Sequence, residues 1–451
     1  MNTMSVPEVS QEPLGQEVHR HRRQRLMESM GAGAVALFPG AKERLRNRDV
    51  MYPFRQDSDF LYLTGFQEPE ALCVLAPGHE AGPYILFCRD RHAEQEQWEG
   101  RRVGCEGACQ IFGADQSFPI EQAEERLAEL LAQAERLFYD PGRDPWLDAL
   151  LPKLLGSLRA RNRLGVTGPQ AIVLPAPLLH AMRCIKEPCE VALMRKAAAV
   201  TVHGHEAAMR HCRPGLHEYA LAAELDHVFT AAGCAHAYPP IVGGGANALI
   251  LHYRANDAVL RDGDLVLIDA GCEWQGYASD VTRTFPVGVA FSPQQRTLYE
   301  LVLEAQRAAM ARARAGEPYS AMHDAAVTIL VEGLVACGLL QGEVAELTEQ
   351  GVYRSFYPHK TGHYLGLDVH DVGDYLVAGR SRSLEPGMAI TVEPGLYIPP
   401  REGLPEAWWN IGIRIEDDIL ITQDAPEVLT EACPKEVSAI EALRRSALGV
   451  S

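Results

Sequence analysis

Apolar and polar positions follow two different rhythms along this 451-residue chain. In residues 19–178, short apolar runs of strand character alternate with stretches whose apolar positions recur at helical spacing. The strand candidates are Ala34–Pro39, Phe60–Thr64, Ala71–Leu75 and Tyr84–Cys88; the helix candidates are Ile120–Arg136 and Trp146–Arg159. This alternation predicts an α/β domain. Residues 1–18 are polar without periodicity and read as a loose tail, and the Gly- and Pro-rich stretch Gly165–Pro177 reads as a linker. A second domain is expected over 179–451. It opens on long amphipathic segments near 187–211 and 217–232, then mixes hairpin and helix patterns, an α+β arrangement. One of its helices is well marked. Ser292-Pro293-Gln294-Gln295 offers an N-cap, a proline at the first helical position and a glutamine three residues after the cap. Leu298, Leu301, Val302, Ala305 and Ala309 supply its apolar stripe, and Gly316 ends it.

The chemistry enters through acids placed where acids are costly. Asp269 follows the apolar run Leu265-Val-Leu-Ile, and Asp280 precedes the β-rich run Val281-Thr-Arg-Thr-Phe. Between them lies the turn-prone Cys272-Glu-Trp-Gln-Gly-Tyr277, so the whole reads as a hairpin. Centred between Trp274 and Gln275, that hairpin sets the two acids opposite each other on one face, with Cα atoms about 4.5–5.5 Å apart. Like charges so placed destabilise a sheet, and burying an unpaired carboxylate costs far more than burying an apolar side chain. A cation removes both penalties. Further ligand candidates lie downstream: His363 in Lys360-Thr-Gly-His363-Tyr-Leu-Gly, Glu393 closing Met388-Ala-Ile-Thr-Val, and Glu416 within Gly412-Ile-Arg414-Ile-Glu416-Asp-Asp-Ile. A strand's period of two puts Arg414 and Glu416 on one face. Four carboxylates and one imidazole form a hard, oxygen-rich set that suits two divalent ions, Mn²⁺ first, with Zn²⁺, Co²⁺ and Fe²⁺ also compatible. Two such ions can share a water and lower its pKa, so a bridging hydroxide is the expected nucleophile toward a carbonyl. His252 and His370 are the spare imidazoles for the substrate carbonyl and the charge that develops on it.

Composition narrows the alternatives. The net charge of −18 argues against nucleic acid as a partner, and no apolar run is long enough to span a bilayer. The N-terminus lacks a secretory pattern; the basic run His19–Arg25 reads as the solvated face of a first helix. Eleven cysteines without a Cys-x-x-Cys pair fit a reducing cytoplasm. Gly31-Ala-Gly33 precedes a strand instead of following one, Gly243-Gly-Gly245 lacks the Lys-Ser/Thr of a phosphate loop, and His205-Glu206 lacks the second histidine of a zinc-protease helix.

The order Asp269, Asp280, His363, Glu393, Glu416 and its local sequence resemble the pita-bread metallopeptidases. That resemblance implies a C-terminal domain with a curved, mainly antiparallel sheet. It implies that Asp269 and Asp280 bind one metal, that His363 and Glu393 bind the other, and that Asp280 and Glu416 bridge the two. Glu393 is also implied as the proton shuttle. The run Tyr52-Pro-Phe-Arg-Gln-Asp-Ser-Asp-Phe-Leu-Tyr-Leu-Thr-Gly-Phe66 is similar to the opening of the N-domain in the aminopeptidase P branch of the family. The branch implies hydrolysis of the bond between an N-terminal residue and a following proline. It further implies a proline pocket of His359, Tyr397 and Arg414, a substrate contact from Trp98, and a homodimer or homotetramer. Prolidase activity on Xaa-Pro dipeptides, or peptide binding without catalysis, are the alternatives. Lys360 departs from the glycine of many relatives.

Overall fold

The computed structural model describes residues 14–450, so most of the expected tail lies outside the described residues. The first helix, Gln16–Met30, starts two residues into them. The chain forms two compact units that part between Arg183 and Cys184. The sequence predicts a boundary at 178/179. The helix Ala176–Cys184 instead stays with the first unit, held by His180 Nε2 and Arg183 Nη1 at 3.4 and 2.6 Å from the Asp59 carboxylate.

The N-terminal unit is a six-stranded mixed sheet. In spatial order its strands are Gln116–Pro119, Tyr84–Cys88, Leu72–Leu75, Ala34–Pro39, Arg136–Phe138 and Ala171–Val173. The three central ones run antiparallel to their neighbours in the hairpin, and the outer pairings are parallel. Val35, Leu37, Val74, Ile85 and Phe87 pack against Leu127, Leu131, Leu147 and Leu151 of the helices Ala123–Ala132 and Pro145–Ala160. Three expectations need correction. The expected linker contains an edge strand, Ala171–Val173. The expected helix Ile120–Arg136 ends at Ala132, and Arg136 begins a strand.

Phe60–Thr64 is helical, part of Ser58–Thr64, although its aromatic and aliphatic residues favour strand. Asp57 caps it by accepting from Phe60 N at 2.9 Å, Gly65 closes it at φ +67°, and every residue is buried, so no helical period shows in the sequence. The basic run of the first helix then finds its use. His19, Arg22 and Arg23 are buried, not solvated. Arg23 donates to Leu63 O at 2.8 Å, His19 Nδ1 lies 3.0 Å from Tyr62 O, and the Arg22 guanidinium stacks 3.9 Å from the Tyr62 ring centroid. The last carbonyls of a helix lack intrahelical donors and carry partial negative charge, so cations are stabilising there.

In the C-terminal unit every strand pairing is antiparallel among the described residues. Two strand groups matter for the site. One is Ile241–Gly244, Leu265–Asp269 and Thr282–Pro286; the other comprises Ala389–Val392 with Asp417–Leu420 and Gly395–Ile398 with Ile411–Arg414. The expected helix appears as Pro293–Arg312 with its capping box in place: Gln295 N donates to Ser292 Oγ at 3.3 Å, and Ser292 N to Gln295 Oε1 at 2.9 Å. It stops at Arg312, short of Gly316. Its fully buried Gln306 donates to Val392 O, Ile415 O and Asp417 Oδ2, tying the strand ahead of Glu393 to the segment carrying Glu416.

Beneath that segment sits a buried ion cluster. Arg283, with no exposed surface, donates to Asp417 Oδ1 at 2.6 Å and to the backbone carbonyls of Glu416, Cys433 and Pro434. Asp417 also accepts from Lys435 Nζ at 2.9 Å and Thr430 Oγ1 at 2.7 Å. Breaking a buried pair leaves an uncompensated charge. Arg283→Met should therefore cost about 3–5 kcal/mol of unfolding free energy, measured by urea denaturation. A loss below about 0.5 kcal/mol would show that the cluster does not fix the Glu416 segment.

Candidate metal centre

Asp269 closes the strand Leu265–Asp269, and Asp280 sits just before Thr282–Pro286. The hairpin between them is real, but its register differs from the expected one. Asp269 pairs with Thr282, and Trp274 pairs with Tyr277. The turn is centred on Gln275-Gly276, whose φ values of +50° and +88° meet the requirement of a two-residue type I′ turn for positive φ at both positions. Asp280 is thus diagonal to Asp269, not opposite it. A displacement of two residues along one strand preserves the face, so the carboxylates still converge.

Glu393 follows Ala389–Val392, and Glu416 falls between Ile411–Arg414 and Asp417–Leu420. His363 is on a loop docked to the first of these strands, through Thr391 N to His363 O at 2.9 Å and Leu365 N to Ala389 O at 3.0 Å. The docking is close: a Cβ on Gly362 would lie 2.0 Å from Thr391 O.

The five side chains line one cavity of about 330 Å³, together with His252, His359, His370 and Arg414. One ligand atom each from Asp280, His363 and Glu416 lies within 4.8 Å of the others. His363 Nε2 is 3.3 Å from Asp280 Oδ2 and 3.7 Å from Glu393 Oε1. His363 Nδ1 faces Tyr364 O at 2.9 Å, which assigns the ring proton to Nδ1 and leaves the Nε2 lone pair for a cation. Asp269 stands at the other side, its Oδ2 accepting from Arg414 Nη2 at 2.5 Å. A hard donor set in a shared cavity, with one oriented imidazole, fits divalent metal.

The electrostatics agree. Burial pushes the Glu393 carboxyl up to about 7, although His363 and Arg414 oppose it. Burial also lifts Glu416 well above the usual carboxylate range, reinforced by Asp280, Glu393 and Asp269. Asp269 is raised, chiefly by burial. Burial disfavours the Asp280 anion too, but the His363 bond and charge outweigh it and hold Asp280 below its ordinary value. Against its own burial, His363 is raised to about 9 by these carboxylates. The carboxylates thus favour positive charge at the His363 ring when no metal is bound, and a metal on Nε2 would supply that charge instead.

Several contributors were not visible in the sequence. Tyr238 OH donates to Asp269 Oδ1 at 2.7 Å and also contacts Asp280 Oδ1, so it clamps the pair. Thr282 donates to Glu416 Oε2 at 2.6 Å and accepts from Arg414 Nε at 3.1 Å, and so joins the two faces of the site. Asp418 accepts from Ser279 Oγ at 2.7 Å and from Asp280 N at 3.1 Å. Only Arg414 and Glu416 sharing a strand face hinted at such a network. Partners of ligands typically cost 10–100-fold in metal affinity when removed. Tyr238→Phe should weaken metal binding by about 10-fold in a chelator competition titration; unchanged affinity would demote the clamp to packing.

Other assigned residues also have places. His370 packs on His363, with ring centroids 4.3 Å apart. Tyr397 OH joins His359 Nε2 at 2.9 Å to Arg414 Nη1 at 2.8 Å. Burial and the Arg414 charge hold His359 at about 3, so its ring is neutral. Trp98 lies in the N-terminal unit on the helix Ala93–Glu99, with 88% of its surface exposed.

Residues 192–423 match the metallopeptidase family M24, and residues 19–139 match the aminopeptidase P N-terminal domain. The Xaa-Pro aminopeptidase of Escherichia coli (strain K12) is 43% identical over 432 residues, covering 95% of this chain and 98% of its own. Human Xaa-Pro aminopeptidase 3 is 36% identical over 408 residues, covering 88% and 78%. Among solved structures, Pseudomonas aeruginosa aminopeptidase PepP superposes with a TM-score of 0.95 at 47% identity, covering 97% of this chain and 99% of that one. Aminopeptidase P from E. coli with the inhibitor Pro-Leu gives 0.94 at 43% identity, covering 97% and 100%. With this fold, this ligand order and similarity along nearly the whole length, the chain belongs to metallopeptidase family M24, in its bacterial Xaa-Pro aminopeptidase branch.

Proposed function

We infer that this protein releases the N-terminal residue from peptides whose second residue is proline, using two divalent ions, Mn²⁺ by preference, held by Asp269, Asp280, His363, Glu393 and Glu416. The observation that carries this reading is the convergence of four carboxylates and one oriented imidazole in a single cavity. When bound, such ions acidify water to near-neutral pKa and polarise a carbonyl. The chain's own groups supply the rest. Asp269 offers a carboxylate to the free N-terminal amine, which only an exopeptidase substrate presents. His252 and His370 line the cavity and supply ring N–H donors for the carbonyl oxygen, where preorganised hydrogen bonds count most. Glu393 carries the proton to the departing proline nitrogen. His359, Tyr397 and Arg414, already bonded to one another, form a fixed wall for a ring whose φ is locked and which has no N–H to grip. For Trp98 the support is the family resemblance together with its exposed indole.

E. coli aminopeptidase P is known in zinc-substituted form with product. All eleven cysteines are free, which supports a reducing cytoplasm, and the resemblance supports a homodimer or homotetramer. No helix among the described residues is long and apolar enough to cross a membrane.

The test is a peptide panel with added Mn²⁺. Xaa-Pro-Xaa-Xaa should be cleaved after its first residue, and its N-acetylated form should resist. Strong preference for the Xaa-Pro dipeptide would replace this reading with prolidase.

A further inference from the structure

The lining of the cavity includes a charge that the proposed hydrolysis does not use. Lys360 lines the cavity and is exposed, and no acid lies within ion-pair distance of it among the described residues. Arg414, which also lines the cavity, is buried and committed to Asp269, Tyr397 and Thr282. Together with burial, the Lys360 and Arg354 charges depress His323. His323 Nδ1 in turn lies 2.9 Å from Thr361 Oγ1, next to Lys360 in the chain. The peptide's amine must point toward the acids and its proline toward His359. Lys360 follows His359 in the chain and lines the same cavity, so its ammonium adjoins the wall assigned to proline and is available to the residue that follows it. On a protein of net charge −18, a free ammonium there is a local reversal of sign. Complementary charge at a rim governs which partners are accepted.

We propose that Lys360 selects peptides carrying a carboxylate just after the proline, either an acidic side chain at the third position or the C-terminus of a tripeptide. This deepens the aminopeptidase reading and rests on it. The Mn²⁺-loaded enzyme should hydrolyse Ala-Pro-Glu-amide with a kcat/KM about 5-fold above that for Ala-Pro-Lys-amide, as expected for one exposed ion pair. The ratio should shrink at high salt, fall to about one in Lys360→Gly and invert in Lys360→Glu. Comparing Ala-Pro-Ala with Ala-Pro-Ala-amide tells the chain terminus from the side chain as the source of the carboxylate. Equal rates in both pairs, or ratios that survive in Lys360→Gly, would overturn the proposal. The neutral Ala-Pro-Gln-amide separates the two levels. Cleavage of it without charge discrimination sinks only the role of Lys360, whereas no cleavage at all sinks the aminopeptidase reading and this proposal with it.

Discussion

Glu416→Gln lowers peptide hydrolysis by at least about 10³-fold while the chain stays folded, a loss comparable to removing a principal charge-stabilising group from an active site. The folded state survives because the substitution keeps the shape of the side chain, and the amide oxygen can still accept from Thr282 Oγ1. The same change has the opposite effect on the metal-free protein. Asp280, Glu393 and Asp269 all raise the cost of the Glu416 anion, so its removal relieves repulsion. Metal-free Glu416→Gln should therefore melt at or above the temperature of the metal-free parent, while gaining less from added Mn²⁺. Melting curves with and without Mn²⁺, beside rates on one Xaa-Pro-Xaa-Xaa peptide, read both effects. Retained activity, or a metal-free variant that melts well below its parent, would show that Glu416 is structural.

The second large effect is a pH dependence. His363 has a folded value of about 9 against an ordinary 6.5, so it binds its proton more tightly in the folded chain. Stability from such a group is complete below pH 6.5 and gone above about 9. Glu393, raised to about 7 from 4.5, has the same sign over a lower window. Below pH 6.5 the buried His19, His205, His323 and His359, all held at 3–4 chiefly by burial, pull the other way. Asp280 is lowered, and its window lies under its ordinary 3.8. The metal-free protein should thus lose stability between pH 6.5 and 9, on the order of 2–3 kcal/mol, and saturating Mn²⁺ should flatten the decline by replacing the proton. Urea midpoints across that range, with chelator and with Mn²⁺, measure the difference. A decline that is equal in both would remove His363 from the centre.

Much of this was legible in the sequence, and the misses have physical reasons. Acids at the ends of apolar runs betrayed Asp269, Glu393 and Glu416, because burial without a partner is costly. The capping box at Ser292 and Gln295 was equally plain, being a local rule locally obeyed. The hairpin register was not, since Gln275 sits at positive φ against its ordinary preference and moves the turn by one position. The helix Ser58–Thr64 stayed hidden because burial on all sides erases periodicity. The role of His19, Arg22 and Arg23 was hidden with it, since nothing in a run of charges shows which carbonyls it will cap. Tyr238 and Thr282 act through partners 31 to 134 residues away, and only the folded chain reveals such contacts.

The most direct measurement is activity of the fully chelated protein during stepwise return of Mn²⁺, with bound metal counted in parallel. Hydrolysis of an Xaa-Pro peptide should be negligible at the start and should rise to a level reached at two ions per chain. Undiminished hydrolysis by the chelated protein, or a plateau with no ion retained, would contradict the two-ion centre.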